Sequence, residues 1–226
     1  AMAAAAEALR RAAVRGGALF LDGEPLTSER LRRRLHRVLL EADCTGQHTI
    51  VAGGEQACDP HDEGHGPLRA GEPIIVDIFP RAAASGYYGD ITRTFVRGPV
   101  PPPVRRLWDA VREAQATALG GIRAGASGRD LHAQVEAVFT GRGYATGEAN
   151  GHMQGFFHGT GHGVGLEIHE APSIGKAGTR LEPGHAVTVE PGLYYPGVGG
   201  VRLEDLVLVR DGGCHNLTTF PLDLEP

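Results

Sequence analysis

The chain has 226 residues, with 22 Lys and Arg against 27 Asp and Glu, which gives a formal net charge of −5. This length supports a substantial hydrophobic core and exceeds that of a small disulfide scaffold. The acidic balance argues against a dedicated binder of nucleic acid or anionic membrane, which would normally carry a basic face. Glycine accounts for 34 residues and histidine for 11, while 41% of the chain is hydrophobic. That hydrophobic content excludes a disordered chain, so we expect the glycines in turns between regular elements.

The cysteines and the apolar segments indicate where the protein acts. Cys44, Cys58 and Cys214 are odd in number, widely spaced and lack a CxxC motif. This pattern argues against a disulfide framework and predicts a reducing, cytoplasmic compartment. No apolar run approaches the roughly 18 residues of a membrane span. We therefore expect neither a membrane nor a nucleic-acid partner, and the sequence leaves a homo-oligomer open.

The predicted elements alternate between helices and short strands. Residues 3–20 are rich in alanine and predict a first helix, which Gly16 and Gly17 would weaken. Thr27 or Ser28 is a candidate N-cap for a second helix. The later predicted elements, in chain order, are strands over 74–76 and 91–96, a helix after the prolines at 99–103, a helix over 128–140, and strands over 186–190 and 201–209.

An internal repeat is the most informative structural feature of the sequence. The segment LRAGEPIIVD ends at Asp77, and the similar segment LEPGHAVTVE ends at Glu190. A second carboxylate follows in each half, so equivalent acids lie 113 residues apart (77 and 190) and 114 residues apart (90 and 204). The matching offsets predict a duplicated α/β unit with halves at roughly 21–100 and 120–212, within a single domain over 1–226.

Four carboxylates at strand ends predict a metal site. They are Asp77, Asp90, Glu190 and Glu204. Buried acids are costly unless their charge is compensated, and two hairpins facing each other would bring all four together. Their mutual repulsion favours bound cations. Oxygen-rich ligation with one imidazole suits Mn, Co, Fe or Zn.

The source of that imidazole is the glycine-rich segment 157–170, which contains His162 and His169. The two histidines are seven residues apart, so an extended chain without a bulge would place them on different faces. We therefore expect different roles for them. The segment is not a nucleotide-binding loop, because no GxGxxG register fits.

These residues resemble the motifs of the pita-bread metallopeptidases, which include aminopeptidase P, prolidase and methionine aminopeptidase. VDIFP…GYYGDITRTF resembles the two-aspartate motif, HGTGHGVGLEIHE the histidine motif, and VTVEPGLYY and GVRLED the two glutamate motifs. The resemblance covers nearly the whole chain, and DITRTF, LEIHE, EPGLY and VRLED match the branch that cleaves Xaa-Pro bonds. It implies an α/β pita-bread fold, in which two pseudo-symmetric halves form a curved, largely antiparallel sheet with helices outside.

The resemblance implies a role for each matching ligand. Asp77 would chelate one divalent metal ion, His162 and Glu190 would hold a second, and Asp90 and Glu204 would bridge the pair. Manganese is the first expectation, with cobalt or zinc as alternatives. A hydroxide between the ions would attack the scissile carbonyl, and Glu190 would carry its proton to the leaving nitrogen. The implied substrate is a peptide with proline at its second position, cleaved before that proline.

Three further histidines would touch the substrate. By the same resemblance, His169 would stabilise the carbonyl oxygen, His158 would line the pocket for the residue after the scissile bond, and His61 would contact the peptide near that bond. His65 competes with His61 for the last role, although the proline before His61 favours it.

Arg202 and Tyr194 would fix the glutamates or a substrate carboxylate, with a purely structural role equally open. The 13-residue interval from Asp77 to Asp90 is about two residues longer than the family's usual spacing. We also expect the catalytic domain only, without the family's usual N-terminal domain. The alternatives are a methionine or general aminopeptidase and a non-catalytic peptide-binding module.

Overall fold

Four α-helices, one 3-10 helix and seventeen strands make up the computed structural model, which describes residues 1–226. The helices are α1 (Met2–Arg11), α2 (Ser28–Glu41), α3 (Pro102–Gly121) and α4 (Gly128–Gly141), and the 3-10 helix is Gly54–Cys58. The strands of the first half are β1 (Ala13–Arg15), β2 (Ala18–Leu21), β3 (Glu24–Pro25), β4 (Cys44–Thr45), β5 (Ile50–Gly53), β6 (Pro73–Ile78), β7 (Arg81–Ala82) and β8 (Ile91–Val96). The strands of the second half are β9 (Gly147–Ala149), β10 (His152–Gln154), β11 (Gly161–Gly163), β12 (Glu170–Ile174), β13 (Ala186–Val189), β14 (Gly192–Tyr195), β15 (Gly199–Arg202), β16 (Asp205–Arg210) and β17 (Gly213–Asn216).

The first helix is shorter than the sequence predicts. α1 ends at Arg11, and residues 13–21 form the antiparallel pair β1–β2 instead of the last turns of a helix over 3–20. Gly16 and Gly17 connect the two strands with φ values of +57° and +79°. Two consecutive residues with positive φ make the tight hairpin turn that glycine favours. The prediction was wrong because this turn outweighs the helix propensity of the preceding alanines.

The second helix begins where the sequence predicts. The hydroxyl of Thr27 accepts a hydrogen bond from the backbone N–H of Arg30, which satisfies one of the free donors at the start of α2. Leu31, Leu35 and Leu39 lie on one face of this helix and are buried in a cluster that also contains Ile74 of β6. α2 therefore covers the first half of the molecule from outside.

Two antiparallel sheets form the centre of the molecule. The first has the strand order β5-β6-β8 and the second β12-β11-β13-β16-β17. An isolated bridge between Thr92 and Glu204 joins them. α1 and α2 pack with β6 and β8 in one core, and α3 and α4 pack with β13 and β16 in another. The two sheets are therefore connected at this bridge, and each packs against its own pair of helices.

The predicted strand over 201–209 is two strands in the structure. β15 pairs with β14, whereas β16 pairs with β13, and Leu203 and Glu204 lie between them. The prediction of one strand was wrong because the chain changes pairing partners at this point, which hydropathy does not reveal. The interruption lets Glu204 pair across the boundary with β8 instead of continuing either ladder.

Each of the other predicted elements is present, with the strand over 91–96 matching β8 at both ends. No helix combines the length and the apolar character that crossing a membrane would require.

Candidate metal centre

A central cavity of about 540 Å³ collects the candidate residues from both halves of the chain. Nine of the ten site residues predicted from the sequence line it, namely His61, Asp77, Asp90, His158, His162, His169, Glu190, Arg202 and Glu204. The tenth, Tyr194, is buried behind the wall and bonds to two of the nine. The sequence motifs therefore converge on one site.

The closest grouping in the cavity joins an aspartate, a histidine and a glutamate. One potential ligand atom from each of Asp90, His162 and Glu204 lies within 4.8 Å of the others. Asp90 directly precedes β8, His162 is the middle residue of β11, and Glu204 lies in the break between β15 and β16. Glu190 follows β13, and its Oε1 is 3.3 Å from Nε2 of His162. Strand ends thus direct all four side chains to one point.

Asp77 provides a direct test of whether the site suits a cation. Its Oδ2 accepts a hydrogen bond of 2.7 Å from Arg202, but its buried Oδ1 has no hydrogen-bond partner. A buried carboxylate oxygen without a donor is unfavourable, and a metal ion would satisfy it. Four carboxylates with one imidazole form an oxygen-rich donor set, which suits divalent ions such as Mn²⁺. The residues present therefore fit a metal centre.

The electrostatics of the cluster also favour a cation. Burial, together with the neighbouring negative charges of Glu204, Asp77 and Glu190, raises the pKa of Asp90 well above its usual value. Burial and the charges of Glu190 and Asp77 do the same to the pKa of Glu204. Without a cation these carboxylates repel each other, and bound positive charge would reverse both shifts.

His162 and Glu190 form an ion pair at the same point. Burial opposes the charge on His162, yet the hydrogen bond and negative charge of Glu190 raise the pKa of the imidazole to about 9. Burial likewise opposes the carboxylate of Glu190, but the hydrogen bond from His162 and the charges of His158 and His162 lower its pKa to about 2. In the metal-free protein, the proton between Nε2 of His162 and Oε1 of Glu190 therefore takes the place that a metal ion would occupy.

A hydrogen-bonded chain in the cavity wall joins His158, Tyr194 and Arg202. Burial lowers the pKa of His158 to about 4, so its imidazole is neutral at pH 7. Its Nδ1 is 2.8 Å from the carbonyl oxygen of Gly159, which makes Nδ1–H the donor, and Nε2 accepts from the Tyr194 hydroxyl at 2.8 Å. Arg202 donates to the same hydroxyl at 3.0 Å. Both ring nitrogens of His158 are thus used within the protein.

His162 and His169 do not point to different faces as the sequence analysis expects. Their ring centroids are 4.3 Å apart, with an edge-to-face angle of 77°. The register of β11 against β12 shifts between His162 and Gly163, and the chain then leaves the strand before residue 169. The period-2 argument fails because the extended conformation ends one residue after His162. Burial and the charge of His162 lower the pKa of His169.

The structure separates the two histidines that compete for the position near the scissile bond. His61 lines the cavity. His65 does not, and its backbone N–H and carbonyl both bond to the side chain of Gln56. This placement favours His61.

Several residues of the site are absent from the sequence predictions. The hydroxyl of Thr92 donates to Oε2 of Glu204 at 2.7 Å, and the hydroxyl of Thr188 lies 3.3 Å from Oε1 of Glu190. A threonine within a buried apolar strand is a signal that could have identified Thr188. His48 and Glu63 also line the cavity, joined by a hydrogen bond of 2.8 Å, and no motif marks either of them.

Comparisons with known proteins agree with this geometry. Residues 1–211 match the family described as metallopeptidase family M24. The chain is 36% identical to the Xaa-Pro dipeptidase of Pyrococcus furiosus over 178 residues, which are 78% of this chain and 48% of that protein. It therefore spans about half the length of this curated relative.

Solved structures give the same result. An Xaa-Pro dipeptidase from Bacillus anthracis superposes with a TM-score of 0.81 at 35% identity, covering 89% of this chain and 55% of that one. An X-Pro aminopeptidase from Thermotoga maritima superposes with a TM-score of 0.80 at 31% identity, with the same two coverages. The fold class expected from the sequence is thereby confirmed. The match over residues 1–211, together with these relatives, shows that the chain belongs to metallopeptidase family M24.

Proposed function

We propose that this chain carries the catalytic centre of a metal-dependent peptidase that cleaves the bond between an N-terminal residue and proline. The observation that carries the proposal is the grouping of Asp90, His162 and Glu204 ligand atoms within 4.8 Å in a cavity shared by both halves. The names of the relatives, Xaa-Pro dipeptidase and X-Pro aminopeptidase, support the choice of substrate.

The ligands divide into two sets in this proposal. Asp77 would hold one ion, His162 and Glu190 would hold the other, and Asp90 and Glu204 would be shared by both. The unpartnered Oδ1 of Asp77 and the short distance between His162 and Glu190 support this division. Divalent ions held by these residues would supply the Lewis acidity that activates water for hydrolysis.

Three side chains then handle protons and the substrate carbonyl. Glu190 accepts a proton from the attacking water at its carboxylate and delivers it to the leaving nitrogen. His169 is kept neutral by its lowered pKa and retains one N–H, which it donates to the carbonyl oxygen as negative charge develops there. His61 lines the same cavity and is proposed to contact the peptide beside the scissile bond.

His158 is proposed to form the wall against the proline ring. Since both of its nitrogens bond within the protein, the ring offers the substrate an aromatic surface without an unsatisfied polar atom. Phe157 and Tyr194 pack against the same ring, with centroids 6.4 and 5.4 Å from it, and hold it in place. Arg202 bonds to both Tyr194 and Asp77, and it thereby fixes the position of this wall relative to Asp77.

Three finer properties belong to the same proposal. Manganese is the proposed native metal, since the donor set is rich in oxygen. The halves at 21–100 and 120–212 are proposed to form one domain, which the bridge between Thr92 and Glu204 supports. A cytoplasmic location is proposed from the odd number and wide spacing of the cysteines.

A peptide assay with Mn²⁺ tests the activity. We expect release of the N-terminal residue from Ala-Pro-Ala but little from Ala-Ala-Ala or Met-Ala-Ala. Glu204→Ala should remove a bridging ligand, lower the bound metal and reduce the rate at least ~100-fold, since even indirect supports of a metal are worth 10–100-fold. Glu182→Ala, which removes an exposed carboxylate, should leave the bound metal and the rate unchanged.

Different outcomes would favour the alternatives. Faster cleavage of Met-Ala-Ala would favour a methionine aminopeptidase, whereas a protein without metal or activity after addition of Mn²⁺, Co²⁺ or Zn²⁺ would favour a binding module. Comparison of Ala-Pro with Ala-Pro-Ala and longer peptides then separates a dipeptidase from an aminopeptidase. A Glu204→Ala variant that retains two metal ions and near-normal activity would contradict the ligand assignment.

A further inference from the structure

A fully buried hydroxyl lies directly behind the candidate metal centre. Thr188 is the third residue of β13, between Val187 and Val189, and none of its surface is exposed. A buried hydroxyl is unfavourable unless it is hydrogen-bonded. Valine has nearly the same shape and would suit an apolar strand at least as well. We therefore expect the hydroxyl of Thr188 to have a specific hydrogen-bonding role.

Both hydrogen bonds of this hydroxyl involve candidate ligands of the same metal ion. The oxygen of Thr188 accepts the backbone N–H of His162 at 3.0 Å. The hydroxyl proton then points to Oε1 of Glu190 at 3.3 Å. Since a hydroxyl has only one proton to donate, this one is committed to Glu190.

The close approach of the neighbouring strand makes these contacts possible. A Cβ atom at Gly161 would lie 1.9 Å from the carbonyl oxygen of Thr188, so any larger residue would push β11 away from β13. With glycine at this position, the next residue in β11, His162, reaches the hydroxyl. The contact between His162 and Thr188 therefore depends on residues of both strands, Gly161 in β11 and Thr188 in β13.

We propose that Thr188 is a positioning residue that holds His162 and Glu190 at the spacing required by one of the two metal ions. This proposal rests on the proposed function and extends it. The hydroxyl fixes one oxygen of Glu190 and the backbone of His162, so the pair is oriented before metal binds. Two other candidate ligands have supports of their own, because Asp77 bonds to Arg202 and Glu204 bonds to Thr92. Loss of the Thr188 hydroxyl should therefore affect one metal ion and spare the other.

Metal titration of the chelator-treated 226-residue chain tests this proposal. Calorimetric titration with Mn²⁺ should show two sites in the wild type. In Thr188→Val one site should weaken by roughly 10–100-fold, the effect expected when a group that orients a metal ligand is lost. The other site should stay within about threefold, and Thr188→Ser, which keeps the hydroxyl, should restore most of the lost affinity. With Ala-Pro-Ala at a fixed, limiting Mn²⁺ concentration, kcat should fall in Thr188→Val while KM changes little.

Thr49→Val provides the matched control. Thr49 is equally buried and its hydroxyl bonds to His36 at 3.0 Å, outside the cavity. The Thr49→Val variant should bind both metal ions as the wild type does. The Thr188 proposal is overturned if Thr188→Val binds both ions normally, if both sites weaken equally, or if Thr188→Ser is as impaired as Thr188→Val. A wild type that binds no Mn²⁺ would overturn the proposed function as well, so the two failures are distinguishable.

Discussion

At the scale of single residues, three of the four candidate carboxylate ligands share one arrangement. In each of them a protein group donates a hydrogen bond to one carboxylate oxygen. Arg202 binds Oδ2 of Asp77, Thr92 binds Oε2 of Glu204, and Thr188 binds Oε1 of Glu190. Anchoring one oxygen fixes the direction of the other, which lowers the cost of ordering the site when a cation enters.

The proton on His162 gives a prediction at this scale. Its pKa of about 9 means that the imidazole is charged at pH 7 in the metal-free protein. A metal ligand must be neutral, so binding of Mn²⁺ should release this proton. Because the metal-free pKa is raised, release should be largest below pH 9 and should disappear as the pH rises through 9. Apparent metal affinity should increase over the same range.

Calorimetric titration in buffers with different heats of protonation measures this release. Proton release at pH 7 should exceed that at pH 10 by about one proton per protein from His162, with protons from Asp90 and Glu204 adding to it. Equal release at the two pH values would contradict the assignment of His162 as a ligand.

At the scale of elements, strand ends and strand breaks determine where the ligands point. The β8 strand and the N-cap of α2 follow from local signals, an alternating β-branched run and a threonine before a helical stripe, and both were predictable. The break at Glu204 depends on a change of pairing partner across more than 100 residues, which no local pattern contains. A local motif was enough to identify Glu204 as a candidate ligand. Its contact with Thr92 joins residues far apart in the chain, so only the structure shows it.

Helix α2 provides a prediction about acid stability. Oε1 of Glu29 accepts the backbone N–H of Gly66 at 3.0 Å, and hydrogen bonds from Thr27 and Gly66 lower the pKa of Glu29 from 4.5 to about 2. The charged form therefore stabilises the folded state fully above pH 4.5, and this contribution is lost as the pH falls from 4.5 towards 2. Glu29→Gln should lower the free energy of unfolding by about 1 kcal/mol at pH 7.

Urea unfolding at pH 7, 5 and 3 measures this difference. The gap between wild type and Glu29→Gln should be similar at pH 7 and 5 and smaller at pH 3. Glu41→Gln, at the exposed end of the same helix, serves as the control and should change stability little. A gap that grows at low pH would show that the carboxylate does not act through its charged form.

At the scale of the whole molecule, the candidate metal centre lies where the two halves meet. Asp77 and Asp90 belong to the half whose core contains α1 and α2, and the remaining ligands belong to the half whose core contains α3 and α4. Direct contacts already join the halves: the Thr94 hydroxyl donates to the carbonyl of Arg202 at 2.8 Å. Arg93 pairs with Asp205 at 2.8 Å in the interior, and Tyr194 packs in an apolar cluster with Ile50 and Ile75. Bound metal ions should add to these contacts, because their candidate ligands come from both halves.

Thermal unfolding tests this coupling. A ligand that binds only the folded state at a hundredfold excess over its Kd adds about 2.7 kcal/mol, or about 5–10 °C in Tm for a chain of this size. Mn²⁺ should thus raise the Tm of chelator-treated protein by at least this amount while unfolding remains a single transition, because each half contributes ligands. Glu204→Ala, which lacks a bridging ligand, should show a smaller rise. Two transitions, of which only one moves with Mn²⁺, would mean that the ions bind within one half and that the ligand assignment across the boundary is wrong.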